Sequence, residues 1–419
     1  MDHSAALIET IAIGLVAAFI GGVIASRLGL PTIVGYLLAG VAVGPFTPGL
    51  VADTGTAQQL AELGVILLMF GVGIHFSIAD LLSVRGTAIP GAIGQIAVAT
   101  ILGIGLGILL GWGPAGGLVL GLAVSVASTI VLLRGLEGRG ELETPQGRIA
   151  VGWLIVEDLF TVLVLVLLPT LAPILLGQGG DPGDVLTGLA LAVVKLVAFA
   201  ALMLVVGVRL VPRLLMWVRG TGSRELFTLS VLAVAIGIAV AAYAVFGVSF
   251  ALGAFLAGVV LNESPISHDA AEDALPLRDA FAVLFFVSVG MLLDPGYLVA
   301  NPGAVVLMTL LVVVAKSVAA FVIVVLLRRP LRVALTVAAA LSQVGEFSFI
   351  VATLGLSLAL IPQDAYQLIV AAALVSITLN PFLFRLVEPA EAWIHARPGL
   401  LRVLDGHAGR EAVAEPEAA

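Results

Sequence analysis

The sequence predicts an all-α polytopic membrane protein of about 13 transmembrane helices, built as an inverted 6+6 repeat with one linking helix between the halves. Three observations predict it. Apolar residues recur in helix-length segments, basic residues fall at alternate connections, and motifs of the first half return in the second at a near-constant offset.

Hydrophobic residues make up 61% of the 419 and charged residues 11%, with a mean hydropathy of +1.20. Soluble domains carry about 25% charged residues, so lipid is the solvent for most of this chain. A hydrocarbon core about 30 Å thick takes about 20 apolar residues per helix. Segments of that kind centre, in order, on Ala17, Leu38, Leu67, Ala99, Val126, Val156, Ala201, Ala235, Leu256, Phe285, Val314, Ser342 and Ala373. Their connections are short and rich in Gly, Pro, Asp and Asn. One membrane domain over residues 1–388 is expected, followed at 389–419 by a flexible cytoplasmic tail or a link to a further domain.

No basic run or small-residue cleavage site accompanies the first segment, so it is expected to be retained rather than removed as a signal peptide. The absence of Cys excludes disulfides, thiolate metal sites and cysteine nucleophiles. The net charge of −8 gathers in acidic clusters at 141–143, 269–273 and 411–417, which read as solvated loops and tail. No nucleic-acid partner is expected.

Basic residues near helix ends mark the cytoplasmic side. Of 19 Lys and Arg, all but Lys195 and Lys316 follow odd-numbered segments, from Arg27 after the first to Arg385 after the thirteenth. The connections 44–56 and 294–303, after even-numbered segments, carry none. The N-terminus is therefore expected outside and the C-terminus inside. This arrangement needs an odd number of crossings.

Gly35–Gly40 of segment 2 (GYLLAG) matches Gly253–Gly258 of segment 9 (GAFLAG) at an offset of 218. Val65–Gly73 matches Ala282–Gly290, and Ser125–Thr129 of segment 5 matches Ser342–Glu346 of segment 12, both at 217. Matching segments stand seven apart, and an odd separation inverts one half relative to the other, as in many secondary transporters. Segments 5 and 12 hold small and polar residues at mid-depth: Ser125, Ser128 and Thr129 in one, Ser342, Gln343, Gly345 and Glu346 in the other. The pairing predicts two helices broken near the midplane, where freed carbonyls and helix ends can face an ion. By contrast, Gly103–Gly107 lies inside segment 4 and reads as helix packing, not as a phosphate loop.

Glu157 and Asp158 stand near the middle of segment 6 in apolar sequence. Charged carboxylates there are costly, which marks them as functional. Successive helical positions diverge by about 100°, so one acid is expected at the crossing and the other against a partner elsewhere. A proton and a cation competing for one such carboxylate are sufficient for exchange. Lys316, deep in segment 11, is the expected counter-charge, bridged to Glu157. Lys195 in segment 7 reads as structural or interfacial, Glu62 equally as a gatherer of cations or an interfacial acid, and His75 as a solvent-facing helix end.

These residues resemble the monovalent cation:proton antiporter family of the Kef type, and within it the YbaL-like branch. The likeness covers all thirteen segments and rests on Glu62–Phe76 (ELGVILLMFGVGIHF), Ala127–Thr129 (AST), Gly152–Asp158 (GWLIVED), Ser249–Gly258 (SFALGAFLAG), Phe285–Met291 (FFVSVGM) and Gln343–Phe347 (QVGEF). The resemblance implies a sodium/proton-antiporter-like fold in the bacterial inner membrane, and a homodimer whose core domain moves as an elevator against a dimerisation domain. It implies K⁺ or Na⁺ exchanged for H⁺ at Asp158, with Glu157, Ser128 and Thr129 beside the ion, Lys316 as counter-charge, and Gln343, Gly345 and Glu346 supporting the crossing. Kef-type proteins usually continue into a nucleotide-binding regulatory domain. After Glu388 this sequence shows no glycine-rich strand–turn–helix signal, so no cofactor and no nucleotide gating are expected of it. A K⁺ channel and an organic-anion carrier on the same scaffold are the alternatives. The first lacks a filter-like loop and the second a basic residue at the crossing. An enzyme is not expected, for want of a metal cluster or a nucleophile–base set.

Overall fold

A computed structural model of the chain describes residues 3–48, 53–74, 78–178, 182–262, 264 and 267–397, so His75 and the tail beyond residue 397 lie outside the described residues. Every regular element among the described residues is helical. The first half comprises α1 (His3–Arg27), α2 (Thr32–Val43), α3 (Thr54–Ile74), α4 (Ile78–Leu109), α5 (Gly113–Ser125), α6 (Thr129–Glu137) and α7 (Pro145–Leu175). Next come α8 (Pro182–Leu202) and α9 (Val208–Arg219), joined by a π turn at Met203–Gly207, and α10 (Arg224–Ala241), which ends in another at Ala242–Phe246. The remainder is α11 (Phe250–Asn262), α12 (Ser267–Met291), the short α13 (Pro295–Ala300), α14 (Pro302–Leu310), a π turn at Leu311–Ala315, α15 (Lys316–Leu326), α16 (Leu331–Ala340), α17 (Glu346–Ser357) and α18 (Gln363–His395).

Among the described residues, nine stretches are long and apolar enough to cross a bilayer. The other predicted segments are α2, α11, α12 and the pair α16 and α17. Every predicted centre falls within one of these segments, and two of them, Val126 and Ser342, fall in breaks between helices.

The chain forms two compact units. One holds Met1–Ser77 and Val162–Pro295; the other holds Ile78–Thr161 and Gly296–Ala419, so the boundary passes through α7.

In the first unit the repeat appears as an exchange of contacts. Gly40 of α2 lies on Gly290 of α12: a Cβ at either would come 2.1 Å from a backbone oxygen of the other helix, that of Val287 or Leu37. Their counterparts, Gly258 of α11 and Gly73 of α3, lie on each other in the same way, with a Cβ 2.2 Å from the oxygen of Phe70 or Phe255. Each half thus supplies one partner to each joint, and only glycine lets the backbones come so close.

In the second unit α4 and α5 pack through another glycine seam. A Cβ on Gly103 or Gly107 would lie 2.2 or 2.3 Å from the Cα of Gly121 or Gly117, which bears out the packing reading of Gly103–Gly107. At one end of this unit, arginines fasten α18 to the α6–α7 connection and the first turn of α16. Arg139 Nη2 donates to Glu388 at 2.8 Å, Arg332 Nη1 donates to Glu391 at 2.8 Å, and Arg332 also bonds Glu141. Glu141 is only 7% exposed, so the acidic cluster at 141–143 is not the simply solvated loop its composition suggests. Burial there is tolerated because two guanidinium groups surround it.

Candidate ion-binding site

The two predicted breaks are present, and they meet. Between α5 and α6 the chain is extended, with φ −97° and ψ 132° at Val126 and φ −83° and ψ 126° at Ser128. Ser128 then caps α6, its Oγ accepting the Val131 N–H at 3.3 Å. Between α16 and α17 the chain is broken over 341–345, and Gly345 is extended at φ −103° and ψ −175°. The two links cross in backbone contact. Gly345 N donates to Val126 O at 3.2 Å, and a Cβ on Gly345 would stand 2.4 Å from Ala127 O.

Breaking a helix in an apolar interior strands N–H and C=O groups at several kcal/mol each unless side chains take them up. Gln343 does most of this. Its Oε1 accepts Ser128 N at 2.8 Å while its Nε2 donates to Ser128 O at 3.2 Å, so the amide pairs with that residue as a neighbouring strand would. From α18, Ser376 Oγ accepts Val344 N at 3.3 Å, and Asn380 Nδ2 donates to Ala339 O at 2.8 Å and to Ser342 Oγ at 3.1 Å.

Both acids of α7 reach the crossing. Glu157, wholly buried, accepts three bonds: from Gln95 Nε2 of α4 at 2.6 Å, from Trp153 Nε1 at 3.2 Å and from Ala127 N at 3.0 Å. Asp158, 5% exposed, accepts Thr129 Oγ1 on its Oδ2 at 3.3 Å. The expectation that only one acid touches the crossing is thereby corrected. Two side chains that diverge on α7 can bracket one extended link, because one meets the backbone N–H of Ala127 and the other the side chain of Thr129, where α6 begins.

Lys316 is 1% exposed and donates to the freed carbonyl of Gln343 at 3.1 Å. No contact with Glu157 within 4.0 Å occurs among the described residues, although the two charges are close enough to interact. Lys316 is thus a neighbouring charge bonded to the crossing, not one half of a direct bridge. Glu346 is the first residue of α17 and 1% exposed; it stands close to Asp158, Ser128 and Thr129. The sequence groups it with the supporting residues, but the backbone stitches come from Gln343 and from α18.

Lys195 is exposed on α8 with its ammonium near Gly247, and Glu62 is exposed on α3; neither belongs to the second unit. Gln95, Trp153, Ser376 and Asn380 belong to the constellation without having been singled out. Gln95 is the one amide of α4, a lone polar residue in apolar sequence, and that is the signal that could have found it.

Asp158 Oδ1 and both carboxylate oxygens of Glu346 are buried without a hydrogen-bond partner among the described residues. Unpartnered carboxylate oxygens beside a helix break and a threonine hydroxyl are a hard, oxygen-only donor set. That chemistry suits an alkali cation, or a proton in its place.

Comparison with known proteins agrees with this chemistry. The sodium/hydrogen exchanger transmembrane family matches residues 15–387. YbaL of Escherichia coli (strain K12), whose name proposes a cation/proton antiporter, is 57% identical over 390 residues, covering 93% of this chain and 70% of its own. K(+) efflux antiporter 4 of Arabidopsis thaliana is 33% identical over 91% of this chain and 64% of its own. Among solved structures, the sodium proton antiporter MjNhaP1 of Methanocaldococcus jannaschii superposes with a TM-score of 0.72 at 17% identity, covering 93% of this chain and 99% of that one, a likeness of fold. These relatives are transporters and not enzymes. The chain is a multi-pass membrane protein belonging to the sodium/hydrogen exchanger family of cation/proton antiporters.

Proposed function

We propose that this chain exchanges K⁺ or Na⁺ for H⁺ at Asp158, with Glu346, Thr129 and Ser128 completing the site. The observation that carries the reading is the group of buried, unpartnered oxygens of Asp158 and Glu346 at the point where two broken helices cross. Two carboxylates so close cannot both remain charged cheaply in an apolar interior. A cation neutralises them in one state and protons do so in the other, so the site is never left empty of positive charge. Competition of this kind gives exchange without a separate coupling device. Because the groups interact, their protons belong to the pair and not to either acid.

Glu157 has a different task in this scheme. With three hydrogen bonds and Lys316 nearby it holds the Ala127 N–H and so fixes the extended link beside the site. The cation-binding residues fall together within one compact unit, which supports an elevator motion of that unit in a homodimer. The asymmetry of basic residues supports an outer N-terminus and a cytoplasmic C-terminus in a bacterial inner membrane, with lipid around the apolar faces. In proteoliposomes, Asp158→Asn is expected to abolish cation-dependent proton flux. Scanning Na⁺, K⁺ and Li⁺ across pH identifies the ion. Normal exchange by Asp158→Asn would remove the assignment.

A further inference from the structure

We propose that Gln95 is a positioning residue for the exchange site, holding Glu157 against the crossing in both protonation states of that acid and thereby setting how tightly the cation binds. The inference rests on the exchange reading above and adds a residue to it. Gln95 is wholly buried on α4, and its Nε2 makes the shortest of the three bonds to Glu157, at 2.6 Å on Oε1. The other carboxylate oxygen of Glu157 holds the N–H of Ala127, the middle residue of the extended link. Two residues further on, Thr129 Oγ1 meets Asp158. Contacts therefore run without a gap from Gln95 through Glu157 and Ala127 to the cation-binding oxygens.

The residue type matters. A carboxylate only accepts, so the amide nitrogen must face it. Trp153 Nε1 and the Ala127 N–H can only donate, so neither can accept the proton of Glu157 once it carries one. An amide can. Its Oε1 is buried and has no partner among the described residues, so a half-turn of the amide presents an acceptor to the protonated acid. The charged groups around Glu157 are Lys316 from α15, the adjacent Asp158 and, beyond it, Glu346 from α17; α4 supplies none at this depth.

Gln95→Met keeps the volume and removes both hydrogen-bonding functions. In proteoliposomes the full chain carrying it is expected to show an apparent cation KM raised about tenfold with a maximal rate within about twofold of normal. Gln95→Glu is nearly isosteric and can share one proton with Glu157. Its KM relative to that of the unsubstituted protein is expected to be near one at the acid end of the working range and to rise at the alkaline end, where two facing carboxylates repel. A side chain that merely fills space predicts the same ratio at every pH. A pH-independent ratio in that variant, an unchanged KM in Gln95→Met, or failure of both to fold would overturn the proposal.

A second measurement does not need transport. With Trp112, Trp217 and Trp393 replaced by Phe, Trp153 is the sole tryptophan and reports the carboxylate it bonds. The pH response of its emission is expected to change in Gln95→Met; an unchanged response counts against the positioning role. If the unsubstituted protein exchanges no cation, the proposed function fails while this measurement still decides the role of Gln95.

Discussion

Gly345 and Ala127 press together more closely than any side chain would allow, and the crossing depends on that contact. Adding one methyl in Gly345→Ala puts a carbon 2.4 Å from the Ala127 oxygen, a backbone atom held by the rest of the knot. Overpacking of this kind costs about 1–3 kcal/mol, so the unfolding midpoint in detergent is expected to fall and exchange to be lost with it. An unchanged midpoint would mean the crossing is looser than drawn. At this scale the sequence was legible where residues came in pairs. Glu157 and Asp158 stand out as adjacent acids in apolar sequence, and Gly345 stands out because its segment repeats. Gln95 stands alone among apolar residues in the middle of α4, and Ser376 and Asn380 are spread with Thr378 along an otherwise apolar stretch of α18. Nothing local tells which face of its helix such a residue occupies, or that a broken helix elsewhere in the chain needs its bond.

Elements carry the same lesson in another form. Helices α5 and α6, and α16 and α17, have 13, 9, 10 and 12 residues, so each is about half the length a bilayer asks for. Their apolar runs are continuous in composition, and only the alignment of Ser125–Thr129 with Ser342–Glu346 revealed the breaks. The alignment places them at the same register: α6 starts at Thr129 and α17 at Glu346, one repeat apart. What no alignment could show is that α18 supports the break between α16 and α17. Asn380→Leu removes the donor to Ala339 O and Ser342 Oγ, both buried, and is expected to cost about 1–3 kcal/mol and raise the apparent cation KM. Thr378→Val loses only a bond within its own helix, to Leu374 O, and is expected to leave both measures within error. Equal effects from the two variants would assign α18 a general packing role.

For the whole molecule, the alternation of arginines is the check on the thirteen-segment count, since one segment more or fewer would put basic residues on both sides. The division of the chain into two units was not legible in the sequence, because the boundary runs through the middle of α7, between Thr161 and Val162, where hydropathy shows no change. The motion proposed for the second unit has a direct test, helped by the absence of cysteine from the chain. Ile130→Cys places a thiol beside Thr129, and alternating access predicts labelling by an impermeant maleimide from one side of the membrane at a time. The reactive side is expected to switch with the imposed pH gradient. Simultaneous labelling from both sides would indicate an open pore instead.

The glycine joints also bear on how the halves hold together. Gly40 rests on Gly290 and Gly258 on Gly73, so each half-sequence supplies one face to each joint, and the two motifs that meet at a joint are the two that every half carries. Two copies of one half, packed in inverted orientation, would meet at the same two joints. A larger residue at any of the four glycines would therefore loosen one half from the other and leave each half's own helices intact.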